Sequence, residues 1–344
     1  MLLRQSDLDA AVAAGIITAA KARALSELAA GRGGRIHGSD ERFLIANNVA
    51  EIFVAIGLVM VIAAAVRLLN FAVTGPQIAV ATGTAALVSW ALAEYFVFRR
   101  PMLLPGIVAT LAFASFAVMA VFRGLNGPAL PLDLHRLDVQ LLAVGVLALA
   151  FLRFRIPILL LPLAAAIAAL MLRGGMSDIW RVLLVAGACG LTYIGFAVWL
   201  DMRDPGRIWR QSQYAFWLYV AGAPLLVHSL FWSVIIALFG NRGDAAFLSW
   251  DVFVAIVPVA LAVTLLGLVL DRRALVISTL AYVAWTVGFV LYRAGTGITG
   301  VAVGTLAVLG LYVVVLGVGW HWVRRRLMTH LPLGRLAPRL PPVN

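Results

Sequence analysis

From Val49 to Leu69 the chain reads VAEIFVAIGLVMVIAAAVRLL, with Glu51 near its start and Arg67 near its end as the charged residues. About 20 apolar residues are what a helix needs to cross a hydrocarbon core of about 30 Å. Lipid offers no hydrogen bonds, so a backbone crossing it must pair its own N–H and C=O groups, which a lone segment does only as a helix. This stretch therefore sets the fold class. Nine further apolar segments follow, at 77–98, 102–122, 138–152, 156–172, 178–199, 214–239, 250–270, 274–292 and 298–322. The pattern predicts an all-α, polytopic transmembrane helical bundle of about ten spans, with a small cytoplasmic helical hairpin before it. The segments at 138–152 and 156–172 are short and carry Pro157 and Pro162. They read either as two crossings or as a re-entrant pair. Both readings leave an even number of full crossings, so the two termini share a side.

Composition agrees. The chain is 63% hydrophobic and 12% charged, about half the charge of an ordinary soluble domain. A net charge of +12 would suggest nucleic acid in a soluble protein. Here the bases lie between apolar spans, so topology accounts for them and no nucleic-acid partner is expected. With the N-terminus in the cytoplasm, 20 of the 27 Lys and Arg residues fall on that side. That is the bias that orients membrane proteins. It predicts a multi-pass protein of the bacterial inner membrane with both termini cytoplasmic. Trp180 and Trp250 then fall at the outer interface, and Trp199, Trp209, Trp217, Trp320 and Trp322 at the inner one, as an aromatic belt requires.

Three regions follow: a hairpin and linker at 1–38, the transmembrane domain at 39–326, and a Pro-rich cytoplasmic tail at 327–344. No cleavable signal peptide is visible, since residues 1–48 hold no continuous apolar run. In the first region Ser6 or Asp7 can cap a short helix that Gly15 ends. Thr18 can cap a second one, which Gly31 stops. Leu8, Val12, Ile16, Ile17, Leu25 and Leu28 can form a small apolar face. Two such helices bury too little surface to stand alone, so residues 6–30 are expected to dock on the bundle, on a second copy or on a protein partner. Leu8, Gly15, Ile16, Ile17, Thr18 and Ala22 also carry a resemblance. The plan resembles a group of uncharacterised bacterial predicted membrane proteins in which a hairpin with a Gly-Ile-Ile/Leu-Ser/Thr turn precedes a polytopic domain. The resemblance implies the membrane fold and no particular activity.

Three residues are candidates for chemistry. Glu51 and Glu94 lie inside spans near their cytoplasmic ends, where an ionised carboxylate costs at least about 2.5 kcal/mol unless it faces a partner or water. Asn47, Asn48 and Glu51 can share a helix face. The two acids either form a polar cluster that binds a cation or proton, or pair at the interface with Arg42 or Arg99. His228 lies mid-span, one turn after Pro224, and can either relay a proton or hydrogen-bond a neighbouring helix. Gly300 and Gly304, like Ala186 and Gly190, are small-xxx-small pairs that allow close helix packing. The G-x-G-x-x-G match at Gly295–Gly300 lacks the strand that nucleotide binding requires. Asp201–Gln213, DMRDPGRIWRQSQ, reads as an interfacial loop with anionic-lipid contacts. FRRPMLLPG at 98–106 echoes FRIPILLLP at 154–162, read as convergent turn chemistry rather than duplication.

No P-loop, HExxH, CxxC or G-x-S-x-G is present, the single Cys189 lies in a span, and the five histidines are scattered. No enzyme activity, cofactor or metal site is expected. The leading functional expectation is a transporter-like protein for a small solute or lipid, proton-coupled through Glu51, Glu94 or His228. The alternative is a membrane scaffold or sensor that recruits a partner through the hairpin. An enzyme acting on lipid ranks last, because polar residues do not cluster at one depth.

Overall fold

The computed structural model describes residues 8, 11–25, 49–72, 75, 77–127, 133–173, 178–204, 210–239 and 250–330. The chain divides into two compact units, Met1–Phe43 with Asn344, and Leu44–Val343.

In the first unit the backbone is helical over 11–13, turns at Gly15, and is helical again over 19–25. Gly15 has φ +69°, a conformation glycine adopts without steric cost. The Thr18 hydroxyl accepts the Lys21 N–H at 3.3 Å, the capping expected of it. Leu8 and Ala22 are buried, but Ile16 is 77% exposed and Leu25 47%. Neither is buried within the hairpin, Ile16 because it sits in the turn and not on a helix. Ser6, Asp7, Leu28, Gly31 and the linker lie outside the described residues.

The second unit is built of helices among its described residues. They are α1 (Val49–Ala72), α2 (Gln77–Glu94), α3 (Leu103–Asn126), α4 (Leu137–Phe154), α5 (Leu160–Met171, entered through a 3₁₀ turn at Pro157–Leu159), α6 (Ile179–Arg203), α7 (Arg210–Phe239), α8 (Trp250–Leu270), α9 (Arg273–Arg293) and α10 (Gly297–His330). Among the described residues eight stretches are long and apolar enough to cross a membrane, and Pro157–Met171 and Val254–Leu270 are shorter apolar helices. α10 runs on to His330, past the predicted end of the membrane domain at 326. Large side chains such as Phe53, Met60, Leu306, Leu311 and Val318 are exposed. Contiguous apolar surface of this kind marks a lipid-facing wall.

Cross-contacts set which ends lie together. Glu51 at the start of α1 meets the start of α3. Arg153 at the end of α4 meets Glu94 at the end of α2. Tyr214 in the first turn of α7 donates to the Arg155 carbonyl. Arg272 before α9 meets Asp201 in the last turn of α6, and Arg324 on α10 meets the end of α8. All of these lie at one end of the bundle, the near end. At the far end Arg136 reaches Asn126, and Arg173 reaches the His135 carbonyl. α4, 18 residues and so about 27 Å long, thus runs from the far end to the near end, and α5 returns. Residues 138–172 form two antiparallel helices running between the two ends, and the second, Pro157–Met171, is shorter than the eight long apolar stretches.

Among the described residues two large buried clusters fill the bundle, with a smaller third one of Leu268, Val276 and Trp320. Ala86, Ala93, Ile107, Phe113, Phe116 and Leu159 belong to one, among α2, α3 and α4. Ile194, Tyr219, Phe231, Val263, Leu275 and Tyr282 belong to the other, among α6 to α9. Small residues set the closest approaches. Thr82, Ala86, Ser89 and Ala93 are the buried stripe of α2, spaced to face a neighbour along successive turns. On α6, a Cβ at Gly190 would fall 2.5 Å from the Leu226 nitrogen of α7, and Gly222 meets the Gly190 carbonyl in return. Gly187 abuts Ser229, so Gly187 and Gly190 both face α7. Gly304 abuts Leu291 of α9, whereas a Cβ on Gly300 would meet only Thr296 of its own turn.

The echoed segments differ in backbone. The first opens in a π-helical turn at Tyr95–Arg99. The second opens with Arg155 in the left-handed conformation, followed by the 3₁₀ turn.

Candidate functional site

The three sequence candidates are engaged by three different partners. Glu51 is 1% exposed. Its Oε2 accepts the N–H groups of Leu103 at 3.2 Å and Leu104 at 3.5 Å. These are free donors at the first turn of α3, where the helix dipole also favours negative charge. Asn47, Asn48 and Arg42 lie outside the described residues. Glu94 pairs with Arg153 at 2.7 Å, not with Arg99. The Arg153 guanidinium also lies 4.5 Å from the Phe98 ring centroid. His228 is on α7 with its ring edge-on to Tyr282 of α9, centroids 5.3 Å apart, and Tyr282 stacks on Phe231. His228 is exposed at the surface of the chain about midway along α7.

The densest buried charge lies elsewhere, at the near end of α6–α10. Arg272 is 2% exposed and forks onto both carboxylate oxygens of Asp201. Ser212 accepts from the same guanidinium at 3.5 Å, and the Tyr219 ring lies beneath it at 5.0 Å. The preceding residue, Asp271, is also buried, with φ +54°. This left-handed residue ends α8, and the Arg272 N–H turns back to the Gly267 carbonyl at 2.9 Å, a helix-closing geometry that glycine usually takes. The turn points Asp271 and Arg272 at different neighbours. The Asp271 Oδ1 accepts the Trp320 indole N–H at 2.7 Å and lies 3.8 Å from Arg324 Nε. Arg324, 1% exposed, donates from Nε to the Leu268 carbonyl at 3.2 Å. Asp204 is buried beside the end of α6. Two acid–base pairs thus tie α6, α7, the α8–α9 turn and α10.

This shortens the loop read over 201–213, since Asp201–Arg203 end α6 and Arg210–Gln213 begin α7. Asp201 belongs to α6 and faces inward onto Arg272, and Asp204 is buried too; residues 205–209 lie outside the description. The signal was present in the sequence. Orientation requires Arg and Lys at the ends of spans, but not the acids Asp201, Asp204 and Asp271 among them. Those acids implied partners, and only folding identified which.

Among the described residues no group of three or more His, Cys, Asp or Glu side chains is placed to hold a metal ion. No protein-family model, curated protein or solved structure matches this chain.

Proposed function

We propose that this chain is a transporter-like protein of the bacterial inner membrane that moves a small solute or lipid with proton coupling. In this reading the near end faces the cytoplasm, because most of the bundle's described Arg residues gather there. The cluster of Asp201, Arg272, Asp271 and Arg324 is its inner gate.

The observation that carries the reading is that both arginines are buried against buried aspartates between four helical elements. Buried ion pairs contribute little net stability compared with apolar packing of the same volume. They differ from it in what happens on opening. An apolar seam pulled apart exposes hydrophobic surface, whereas separated carboxylate and guanidinium groups are both solvated by entering water. An ionic latch is therefore suited to a contact that must part and re-form. His228 and Tyr282, on two of the same helices, stand between this latch and the far end as a proton-handling pair.

Proteoliposomes loaded with a pH-sensitive dye and clamped by a potassium diffusion potential test this. Wild-type protein is expected to pass protons above the empty-vesicle rate. Asp201→Asn is expected to lower that flux and to expose a Ser212→Cys probe to a membrane-impermeant maleimide. Flux no greater than in empty vesicles across pH and potential would refute transport. Unchanged flux in Glu51→Gln, Glu94→Gln and His228→Gln would remove those residues from coupling.

Exposed Ile16 and Leu25 on the N-terminal hairpin favour a second reading, a scaffold that recruits a partner there. Deleting residues 1–38 separates the two: a scaffold loses its partner in a pull-down, and a transporter keeps its flux.

A further inference from the structure

At the far end, Arg136, Leu137, Asp138, Leu141 and Arg173 line an open depression of about 540 Å³ between the α3–α4 and α5–α6 turns. Orientation does not explain the bases here, since this end is the one poor in Arg and Lys. Their carboxylate partners are already used. Asp138 is held by Arg136 through two hydrogen bonds, at 3.0 and 2.8 Å, and that bond raises the Arg136 pKa. Asp178 caps α6 by accepting the N–H groups of Trp180 and Arg181. Asp133 accepts the His135 N–H. The parts of these turns outside the described residues, 128–132 and 174–177, contain no Asp or Glu. Among the described residues, Arg173 and Arg181 have only main-chain acceptors, the His135 carbonyl for Arg173 and the Arg173 carbonyl for Arg181. Each carbonyl occupies one donor of a group that has five.

We propose that this depression binds the phosphate of an anionic phospholipid headgroup, with Arg173 as the principal donor, Arg181 beside it, and Arg136 fixed by Asp138 at the rim. The apolar lining selects an amphiphile over a free anion. Leu137 and Leu141 are both exposed, and α4 runs inward from here, so Leu141 lies about 6 Å deeper than Leu137. A headgroup on the arginines places its glycerol and first acyl carbons against this apolar pair. A guanidinium fork matches two phosphate oxygens at once, which an ammonium does not. The site is independent of the transport reading and needs no particular orientation in the membrane.

Native mass spectrometry of the detergent-purified chain, titrated with dioleoyl-phosphatidylglycerol, dioleoyl-phosphatidylcholine or sodium phosphate, tests it. Wild-type protein is expected to retain phosphatidylglycerol about tenfold more tightly than phosphatidylcholine, which offers the same phosphate but whose choline ammonium is repelled by the neighbouring arginines. Arg173→Ala/Arg181→Ala is expected to remove that preference, Arg173→Lys to keep part of it, and Arg293→Ala, at another far-end arginine, to leave it intact. An unchanged melting temperature of the double variant without lipid shows that its fold is preserved. Competition by phosphate alone at the same concentration would keep the anion site but make its ligand a soluble phosphate compound. Equal binding of the two lipids, or a preference that survives in the double variant, overturns the proposal.

Discussion

Replacing Arg272 with Met removes a guanidinium that is 2% exposed and leaves the Asp201 carboxylate, 8% exposed by side chain, facing apolar neighbours. Removing one partner of a buried pair costs about 3–5 kcal/mol, because the remaining charge keeps its desolvation penalty and loses its compensation. The ring contact with Tyr219 adds up to about 2 kcal/mol when desolvated. The 3.5 Å contact with Ser212 is at the limit of a hydrogen bond and adds little. Arg272→Met should therefore cost about 4 kcal/mol. Asp201→Asn/Arg272→Met carries no stranded charge and should lie within about 1 kcal/mol of wild type. The second substitution thus recovers about 3 kcal/mol of the Arg272→Met cost, and the coupling, which also counts the cost of Asp201→Asn alone, is larger than that. The assay is unfolding in detergent with a thiol-reactive dye, for which Cys189 is the sole target; it lies on α6, the helix that carries Asp201. A single variant costing under about 1 kcal/mol, or a double variant as unstable as the sum of the singles, would refute the account of a desolvated, mutually compensating pair.

Gly190→Ala should destabilise by about 1–3 kcal/mol, because its Cβ meets main-chain atoms of α7; Gly195→Ala on the same helix, with open space around it, should leave the melting temperature nearly unchanged. Glu51→Ala should cost about 1–2 kcal/mol through loss of the α3 cap, and Glu51→Gln, which keeps an acceptor oxygen, should recover part of that in the same unfolding assay. Arg153→Ala, which breaks the half-exposed pair with Glu94, should cost no more than about 1 kcal/mol and lose even that difference in high salt.

Its helical class, its membrane type and the positions of its long apolar helices were legible in the order of its residues. Each follows from local chemistry: a backbone in hydrocarbon must pair within its own segment, so length and hydropathy suffice to find the spans. The hairpin turn was legible for the same reason, since Gly15 and Thr18 act on residues three or four positions away. What an intramembrane or interfacial charge faces is not local. Glu51 and Leu103 are 52 positions apart, and Asp201 and Arg272 are 71 apart. Their meeting depends on how α1 packs on α3 and on how α6 and α9 both pack against α7. The close approach of α6 and α7 likewise depends on which small residues meet across it, so Gly187 and Gly222 acquire their role only once the helices are side by side. Hydropathy therefore located this protein in the bilayer, and packing decided which of its charges are partners.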